Sequence, residues 1–351
     1  MKAVWQTGPE RVELRELPTP TPGPGEVLVR VAASTLCGSE LPAYRAGREG
    51  LNSGHEAAGV VVRVGPGCCR LRVGDRVGLS AVQGCGNCAD CHAGRYTYCV
   101  RHIVVSGMHA EYVVSRELGC HPLPSDVPWT DGVLLTGDGL GTPYHAAKRL
   151  GDRTGPGISV AVFGVGPVGL GNVLVQAQRG ARVAAVDISD HRLSLATQLG
   201  ATIRVRATGA VGEEPPMADD LAARVREACG GAPDVCIECA GRQPTLFAAL
   251  AAVRTGGTVL CVGEQGAAPL SPSDHLIRRD ITLMGSWFYH FSEYSEMLAL
   301  YRSGMRVADL VTHAFPLERA PEAFAAFAAG LTGKTVLHPW PEAAAADRRT
   351  G

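Results

Sequence analysis

The chain has 351 residues, of which 46% are apolar and 19% charged, and its formal net charge is −1. This length supports two domains with cores of their own. A near-neutral chain without a basic stripe or a basic amphipathic helix indicates neither nucleic acid nor a membrane as partner. No apolar run approaches the ~20 residues that cross a bilayer. The N-terminus has no apolar signal segment, so we expect a cytoplasmic protein.

The first third of the chain is predicted to consist mainly of strands and turns. Apolar residues alternate over residues 26–32, directly after the Pro- and Gly-rich turn at 22–25. Short β-rich runs follow at 60–64 and 76–79, and another strand is predicted within 107–115. The pattern indicates an all-β or mixed domain with long loops.

Four cysteines in this region have the spacing Cys-x2-Cys-x2-Cys-x7-Cys: Cys85, Cys88, Cys91 and Cys99. Four thiolates this close can surround one zinc ion tetrahedrally, at roughly 2.3 Å from each sulfur. Such a site has no open position, so we expect a structural zinc. The alternative is two disulfides in a secreted protein, which nothing else in the chain supports.

From about residue 140 the pattern changes to strands that alternate with helices, which predicts βαβ units and a parallel sheet. The predicted strands are 158–163, 182–187, 234–238 and 257–262, and the predicted helices are 168–178, 191–199, 221–229 and 245–253. Residues 207–218 are predicted as a polar loop. After residue 288 the pattern is mostly helical, and residues 341–351 are predicted to be disordered.

A dinucleotide site is predicted where the first of these strands meets its helix. Gly164, Gly166 and Gly169 fit G-x-G-x-x-G in that context. The first glycine allows the tight turn, the second lets a pyrophosphate approach the backbone, and the third lets helix and strand pack closely. The phosphates would lie at the helix N-terminus, and we assign Val168 in its first turn to the same site.

Asp187 ends the next predicted strand, 18 residues after Gly169. A carboxylate there can accept hydrogen bonds from the ribose hydroxyls and repels a 2′-phosphate, so NAD is favoured over NADP. Arg192, which we include among the cofactor contacts, and Arg182 keep NADP open as an alternative. An aspartate that only caps the strand is the other interpretation.

Several short segments occur in a fixed order along nearly the whole chain. They are Pro-Gly-Pro-Gly-Glu-Val-Leu-Val-Arg-Val from residue 22, Cys-Gly-Ser from 37, Gly-His-Glu-x2-Gly from 54, Val-Gly-Asp-Arg-Val from 73, the four cysteines, the glycine-rich turn, and Gly-Lys at 333. In this set the chain resembles the zinc-containing alcohol dehydrogenase branch of the medium-chain dehydrogenase/reductase superfamily.

The resemblance implies an α/β fold of two domains. Residues 1–139 and 288–351 would form a GroES-like, partly β catalytic domain. Residues 140–287 would form a Rossmann domain, with a doubly wound parallel sheet that binds NAD. Members of this family are usually dimers or tetramers, so a homodimer or homotetramer is expected, and nothing in the sequence decides between them.

The resemblance also implies a second, catalytic zinc, and therefore two zinc ions per chain. Cys37, His55 and Asp138 would be its ligands, with the fourth position open for water or substrate, as catalytic zinc requires. Glu56 would bind the zinc transiently or lie behind the ligands. Glu40, where the family usually has Asp, would accept the other ring N–H of His55.

The activity implied is hydride transfer between a secondary alcohol and the nicotinamide, with zinc polarising the alcohol or carbonyl oxygen. Ser39 would take the hydroxyl proton and pass it toward the nicotinamide ribose. Many members complete this relay with a His five residues after the ligand Cys, where this chain has Pro42. The proton would then leave by water, by Glu56 or by His145.

Two further cofactor contacts follow from the resemblance. Lys334 corresponds to a basic residue that reaches the cofactor phosphates, although a solvated surface lysine is the alternative. Val262, together with Gly263, Glu264 and Trp287, is expected to line the nicotinamide and substrate region.

The substrate is predicted from the segment between Cys37 and His55, which has only 17 residues, fewer than is common in the family. Its part at 44–52 is polar and contains Arg45 and Arg48. A polar wall suits a polyol, sugar or aminocyclitol better than an aliphatic alcohol. A solvated loop that contacts no substrate is the alternative.

Two other function classes remain open. One is a zinc-free reductase of activated double bonds that uses NADPH, against which Cys37, His55 and the four cysteines argue. The other is a non-catalytic relative that binds NAD, for which Pro42 and the short loop leave room.

Overall fold

The computed structural model describes residues 1–208 and 218–347, and in these the chain forms two compact units. The first unit contains Met1–Gly141, Phe288–Ala328 and the described residues from Lys334 onward; the second contains Thr142–Trp287 and Ala329–Gly333. Residues 329–333 thus belong with the second unit, whereas the sequence assigned them to the catalytic domain. Most of the predicted polar loop, residues 209–217, lies outside the described residues.

The chain up to residue 136 forms mostly strands, as predicted. The strands are β1 Lys2–Gly8, β2 Arg11–Glu16, β3 Glu26–Thr35, β4 Gly50–Leu51, β5 Ala57–Val64, β6 Arg76–Leu79, β7 Val82–Gln83, β8 Ile103–Val104, β9 Tyr112–Arg116 and β10 Cys120–Pro122. The helices are α1 Leu41–Ala46, α2 Ala89–His92 and α3 Trp129–Thr136.

Helices and strands alternate in the rest of the chain. The helices are α4 Gly141–Leu150, α5 Pro167–Gln178, α6 Asp190–Gln198, α7 Ala218–Cys229, α8 Gln243–Ala252, α9 Pro272–His275, α10 Tyr294–Arg302, α11 Ala320–Ala328 and α12 Pro341–Asp347. The strands are β11 Ser159–Phe163, β12 Arg182–Asp187, β13 Ile203–Arg206, β14 Val235–Glu238, β15 Thr258–Cys261, β16 Thr282–Gly285, β17 Val311–Pro316 and β18 Lys334–His338.

The first unit is organised around β3, which pairs antiparallel with β5, β9 and β18 in a seven-stranded sheet. Alternate residues of β3, Val27, Val29 and Val31, lie fully buried in one apolar cluster, as expected for a strand with one face on a core. β18 lies between β3 and β17 in this sheet. The prediction of mostly helix after residue 288 is therefore wrong for both C-terminal strands.

The second unit contains a six-stranded sheet in the order β13-β12-β11-β14-β15-β16, with every neighbouring pair parallel. Its central strand, β11, is buried from Val160 to Phe163, which explains its continuous apolar sequence. The strand order reverses beside β11, so the sheet is doubly wound. The predicted parallel α/β sheet is confirmed.

The C-terminal segment differs from the prediction of disorder. Pro341–Asp347 forms α12, and the Asp347 carboxylate accepts the backbone N–H groups of Trp129 (2.7 Å) and Thr130 (2.9 Å). These are the first two residues of α3, whose N-cap, Pro128, offers no side-chain acceptor. These bonds attach the C-terminal helix to α3, and Ala343 of the helix is buried. Residues 348–351 lie outside the described part.

Within residues 1–208 and 218–347, no helix combines the length and hydropathy needed to cross a lipid bilayer.

Candidate active site

The four predicted cysteine ligands converge. The sulfur atoms of Cys85, Cys88, Cys91 and Cys99 all lie within 4.8 Å of one another, and none of the four is disulfide-bonded. Cys88 precedes α2 and Cys91 lies in it, so one helical turn brings these two thiols to the same side. A closed set of four thiols has the donor chemistry of a structural zinc site.

The thiols of this cluster have different surroundings. The backbone N–H of Asn87 lowers the pKa of the Cys85 thiol to about 6, and thiolate is the form that binds metal, whereas burial raises the pKa of the Cys91 thiol to about 12. The backbone N–H of Cys85 lies 3.4 Å from Cys99 Sγ. Tyr96 stacks on Phe291 beside the cluster, with ring centroids 4.8 Å apart.

A second cluster brings together Cys37, His55, Glu56 and Asp138, whose donor atoms also lie within 4.8 Å of one another. Cys37 follows β3, His55 and Glu56 precede β5, and Asp138 follows α3. Because β3 and β5 pair antiparallel, the end of β3 lies beside the start of β5. Asp138 Oδ2 lies 3.0 Å from His55 Nε2 and 3.3 Å from Cys37 Sγ.

Protonation in this cluster reflects the contacts among its members. Burial by itself would lower the pKa of the His55 imidazole, but its hydrogen bonds with Asp138 and Cys37 raise that pKa well above the ordinary value. Burial raises the pKa of the Cys37 thiol, and the Asp138 carboxylate adds to the effect. A thiol, an imidazole and a carboxylate with converging donor atoms fit a zinc ion, whose charge would displace these protons.

Lys334 differs from the prediction for it. Its ammonium is fully buried and contacts the Glu56 carboxylate, with the Leu36 carbonyl oxygen 3.5 Å away. Burial alone would lower the pKa of this ammonium, but the negative charge of Glu56 and its neighbours raises it. The Lys334 ammonium, which was expected at the cofactor phosphates or in solvent, is instead paired with Glu56 of the second cluster.

Glu40 also has a different partner from the one expected. Its Oε2 lies 3.0 Å from His109 Nε2, and its Oε1 accepts the backbone N–H of Cys37 at 2.8 Å. The second ring nitrogen of His55 lies 3.0 Å from the backbone carbonyl of Ser53. The glutamate is one methylene longer than the family's usual aspartate, and its carboxylate lies at His109.

The residues proposed for the proton relay and for the substrate wall lie on several different elements of the chain. Ser39 is exposed in the turn that follows Cys37, and Pro42 occupies the first turn of α1. His145 lies in α4, within the second unit. The polar segment 44–52 packs onto the N-terminal hairpin, because β4 pairs with β1 and the Tyr44 hydroxyl donates to the Glu10 carbonyl oxygen at 2.9 Å. Arg45 and Arg48 remain exposed.

The glycine-rich turn has the close approaches that its motif predicts. Gly164 has φ of +81°, a conformation that favours glycine, and a Cβ there would lie 2.7 Å from Cβ of Ala240. A Cβ on Gly169 would lie 2.0 Å from the carbonyl oxygen of Gly164. Gly166 is the N-cap of α5 and has no such neighbour, which leaves its surface open to a ligand. Val168 lies in the first turn of this helix.

Asp187 lies at the end of β12 and is mostly buried. Its two carboxylate oxygens accept the backbone N–H groups of Val165 (2.8 Å) and Ser189 (2.9 Å). The carboxylate therefore links the glycine-rich turn to the start of α6. Carboxylate oxygens have two lone pairs each, so these bonds leave acceptor capacity for ribose hydroxyls.

The other predicted cofactor residues lie in the same unit, and Arg192 lies beside the glycine-rich turn. The Arg192 guanidinium comes within 3.8 Å of the position that a Cβ on Gly166 would take. Val262 follows β15 and donates its backbone N–H to the backbone carbonyl oxygen of Glu238 at 2.8 Å. Trp287 is 39% exposed, and its Nε1 donates to Glu264 at 3.1 Å.

Sequence reasoning missed two buried polar residues. Glu238 ends β14, and burial raises the pKa of its carboxyl to about 6. His109 lies beside Glu40, in a Gly-Met-His-Ala segment that matches no motif. The three-dimensional contacts reveal both residues, because a single buried Glu or His carries no spacing signal in the sequence.

Comparisons with known proteins agree with this fold and these clusters. The family model described as alcohol dehydrogenase GroES-like domain matches residues 23–125, and the one described as zinc-binding dehydrogenase matches residues 167–303. Human sorbitol dehydrogenase is 32% identical, over 94% of this chain and 93% of that protein.

Two solved structures have the same fold. The alcohol dehydrogenase TADH from Thermus sp. ATN1 is 32% identical, with a TM-score of 0.82 over 96% of this chain and 99% of that one. A structure described as an NAD-dependent alcohol dehydrogenase is 28% identical, with a TM-score of 0.80 over 97% and 100% of the two chains. The chain therefore belongs to the zinc-containing alcohol dehydrogenase family, with a GroES-like domain and a Rossmann domain.

Proposed function

We propose that the protein transfers a hydride between a secondary alcohol of the polyol, sugar or aminocyclitol type and NAD, with two zinc ions per chain. The observation that carries this proposal is the convergence of Cys37, His55 and Asp138 from three separate segments of the first unit. The four-cysteine cluster would hold the structural zinc. The catalytic domain would end near residue 139 and resume at residue 288.

The residues of the second cluster have separate roles in this proposal. Cys37, His55 and Asp138 would hold the catalytic zinc, which supplies a Lewis acid for the alcohol or carbonyl oxygen. Glu56 forms an ion pair with Lys334, and its carboxylate lies within 4.8 Å of the donor atoms of the other three residues. It would therefore be the residue that binds the zinc transiently. Ser39, exposed in the adjoining turn, would receive the substrate proton and pass it to water, because Pro42 cannot continue the relay.

The preference for NAD rests on Asp187 and the glycine-rich turn to which its carboxylate is bonded. A 2′-phosphate would approach this carboxylate and be repelled. One structural relative is described as an NAD-dependent alcohol dehydrogenase, which supports the same choice. Arg192 lies beside the turn and is the residue through which NADP would be accepted in its place.

The substrate class rests on two observations. A relative of this chain is a sorbitol dehydrogenase, which by its name acts on a polyol. The segment between Cys37 and His55 is short and carries exposed Arg45 and Arg48. By its family the protein would form a homodimer or homotetramer. By its N-terminal sequence it would be cytoplasmic.

The test combines metal content with activity in protein purified without chelator. We expect close to two zinc ions per chain and NAD-dependent oxidation of polyols or cyclitols in a substrate panel. We also expect a lower KM for NAD than for NADP. Loss of activity in both Cys37→Ala and His55→Ala is required. One zinc per chain with reduction of activated double bonds by NADPH, or NAD binding without turnover of any alcohol, would replace this proposal with one of its alternatives.

A further inference from the structure

A fully buried histidine lies directly behind the proposed zinc ligands. His109 has no exposed surface, and Glu40 beside it is 3% exposed. Neither residue is among the donor atoms that converge in the second cluster. The burial of a carboxylate beside an imidazole is costly unless both are hydrogen-bonded, so their contacts indicate a defined arrangement.

The side-chain bonds of His109 lead to the backbone of a ligand. His109 Nε2 lies 3.0 Å from Glu40 Oε2, which as a carboxylate oxygen accepts, so Nε2 donates. The other carboxylate oxygen accepts the Cys37 N–H at 2.8 Å. On the far side, Nδ1 lies 2.9 Å from the Ser34 hydroxyl. Ser34, His109 and Glu40 thus form one buried chain that ends at Cys37.

The same histidine also contacts the segment of the other ligand. Asn52 Oδ1 accepts the backbone N–H groups of both His109 and Gly54, each at 3.1 Å. The Met108 N–H donates to the Gly54 carbonyl at 2.9 Å. A Cβ on Gly54 would lie 2.5 Å from the His109 ring, so the ring rests on the backbone directly before His55.

We propose that His109 is a positioning residue that holds Cys37 and His55 at metal-binding separation, the first through Glu40 and the second through ring contact with Gly54. The inference rests on the proposed function, because it takes these residues as metal ligands. Outer hydrogen-bond partners of ligands are the usual means by which proteins orient them. Here the Glu40 carboxylate accepts a hydrogen bond from His109, which is not a proposed ligand. The backbone carbonyl of Ser53, and not this carboxylate, orients the His55 ring.

The test measures metal affinity without turnover. Full-length protein is loaded with zinc at the four cysteines and with Co²⁺ at the second site. Chelator competition then gives the Co²⁺ dissociation constant, and the thiolate–cobalt absorption bands report the ligand geometry. We expect His109→Leu to weaken Co²⁺ binding about 10–100-fold and to shift the bands. His109→Gln, whose amide can donate to Glu40, should restore most of the affinity.

Tyr301→Phe is the matched control. The Tyr301 hydroxyl donates to the mostly buried Asp131 carboxylate at 2.7 Å, so this variant also removes the donor of a buried carboxylate in the same unit. It breaks none of the bonds that lead to Cys37 or His55. We expect a lower melting temperature in metal-free protein, with an unchanged Co²⁺ dissociation constant and unchanged bands.

A second variant, Gly54→Ala, tests the contact between the His109 ring and the backbone of Gly54. It provides the test if His109→Leu does not fold. Gly54→Ala should displace the ring and weaken Co²⁺ binding, and it should cost less in a His109→Ala background, where no ring is in the way. Additive effects, or an unchanged Co²⁺ site in both His109→Leu and Gly54→Ala, would overturn the inference. So would wild-type protein that binds no Co²⁺ at Cys37. Wild-type protein that binds Co²⁺ as expected but oxidises no alcohol would contradict only the proposed function.

Discussion

At the scale of single residues, the second cluster depends on buried charges that compensate one another. Lys334 and Glu56 have no exposed side-chain surface and form an ion pair. Neither charge could remain there alone without a large loss of solvation. The pair links the first residue of β18 to the residue directly before β5.

Lys334→Met is expected to lower the free energy of unfolding by about 3–5 kcal/mol, because it leaves the Glu56 carboxylate unpaired in the interior. Urea denaturation followed by tryptophan fluorescence measures the change. Lys2→Met is the control, since Lys2 pairs with Glu318 at the exposed surface and should matter little. The double variant Lys334→Met with Glu56→Gln should recover part of the loss. A stability of Lys334→Met equal to that of Lys2→Met would contradict the assignment.

At the scale of elements, the C-terminal helix stabilises α3 through its end. Asp347 supplies the acceptors that Pro128 lacks, and Thr130 Oγ1 adds a third bond at 2.5 Å. A sequence-based prediction could not find this, because the partners are more than 200 residues apart.

Asp347→Ala is expected to destabilise the protein by about 1 kcal/mol, as the loss of other helix N-caps does, whereas Asp347→Asn should retain most of the stability because its side-chain oxygen can still accept. Thermal unfolding of the two variants beside wild type distinguishes them. Equal destabilisation by Ala and Asn would show that the charge, or the packing of α12, matters more than the cap.

At the scale of the whole molecule, the two candidate functions lie in different units. All proposed zinc ligands belong to the first unit, and the glycine-rich turn with Asp187 belongs to the second. Binding of the nucleotide and chemistry at the alcohol should therefore be separable by substitution. This separation is a property of the chain as a whole and follows from no single motif.

Cys37→Ala should reduce kcat about 10³-fold or more, because it removes a ligand of the proposed Lewis acid, which supplies several kcal/mol. It should leave the dissociation constant of NADH within about twofold of wild type. Fluorescence titration with NADH and steady-state kinetics measure the two quantities. A large loss of NADH affinity in Cys37→Ala would show that the units do not act independently in binding.

Local spacing and periodicity predicted the four-cysteine cluster, the glycine-rich turn with Asp187, and the parallel sheet. The ordered motifs indicated the family, and the resemblance to that family implied Cys37, His55 and Asp138 as the second group of ligands. The partners of Glu40 and Lys334, the place of β18 between β3 and β17, and the folding of residues 341–347 into α12 depend on tertiary contacts. The physical reason is that a buried polar side chain or a short terminal segment is defined by what packs against it. Its partners are distant in sequence, and no local pattern encodes their meeting.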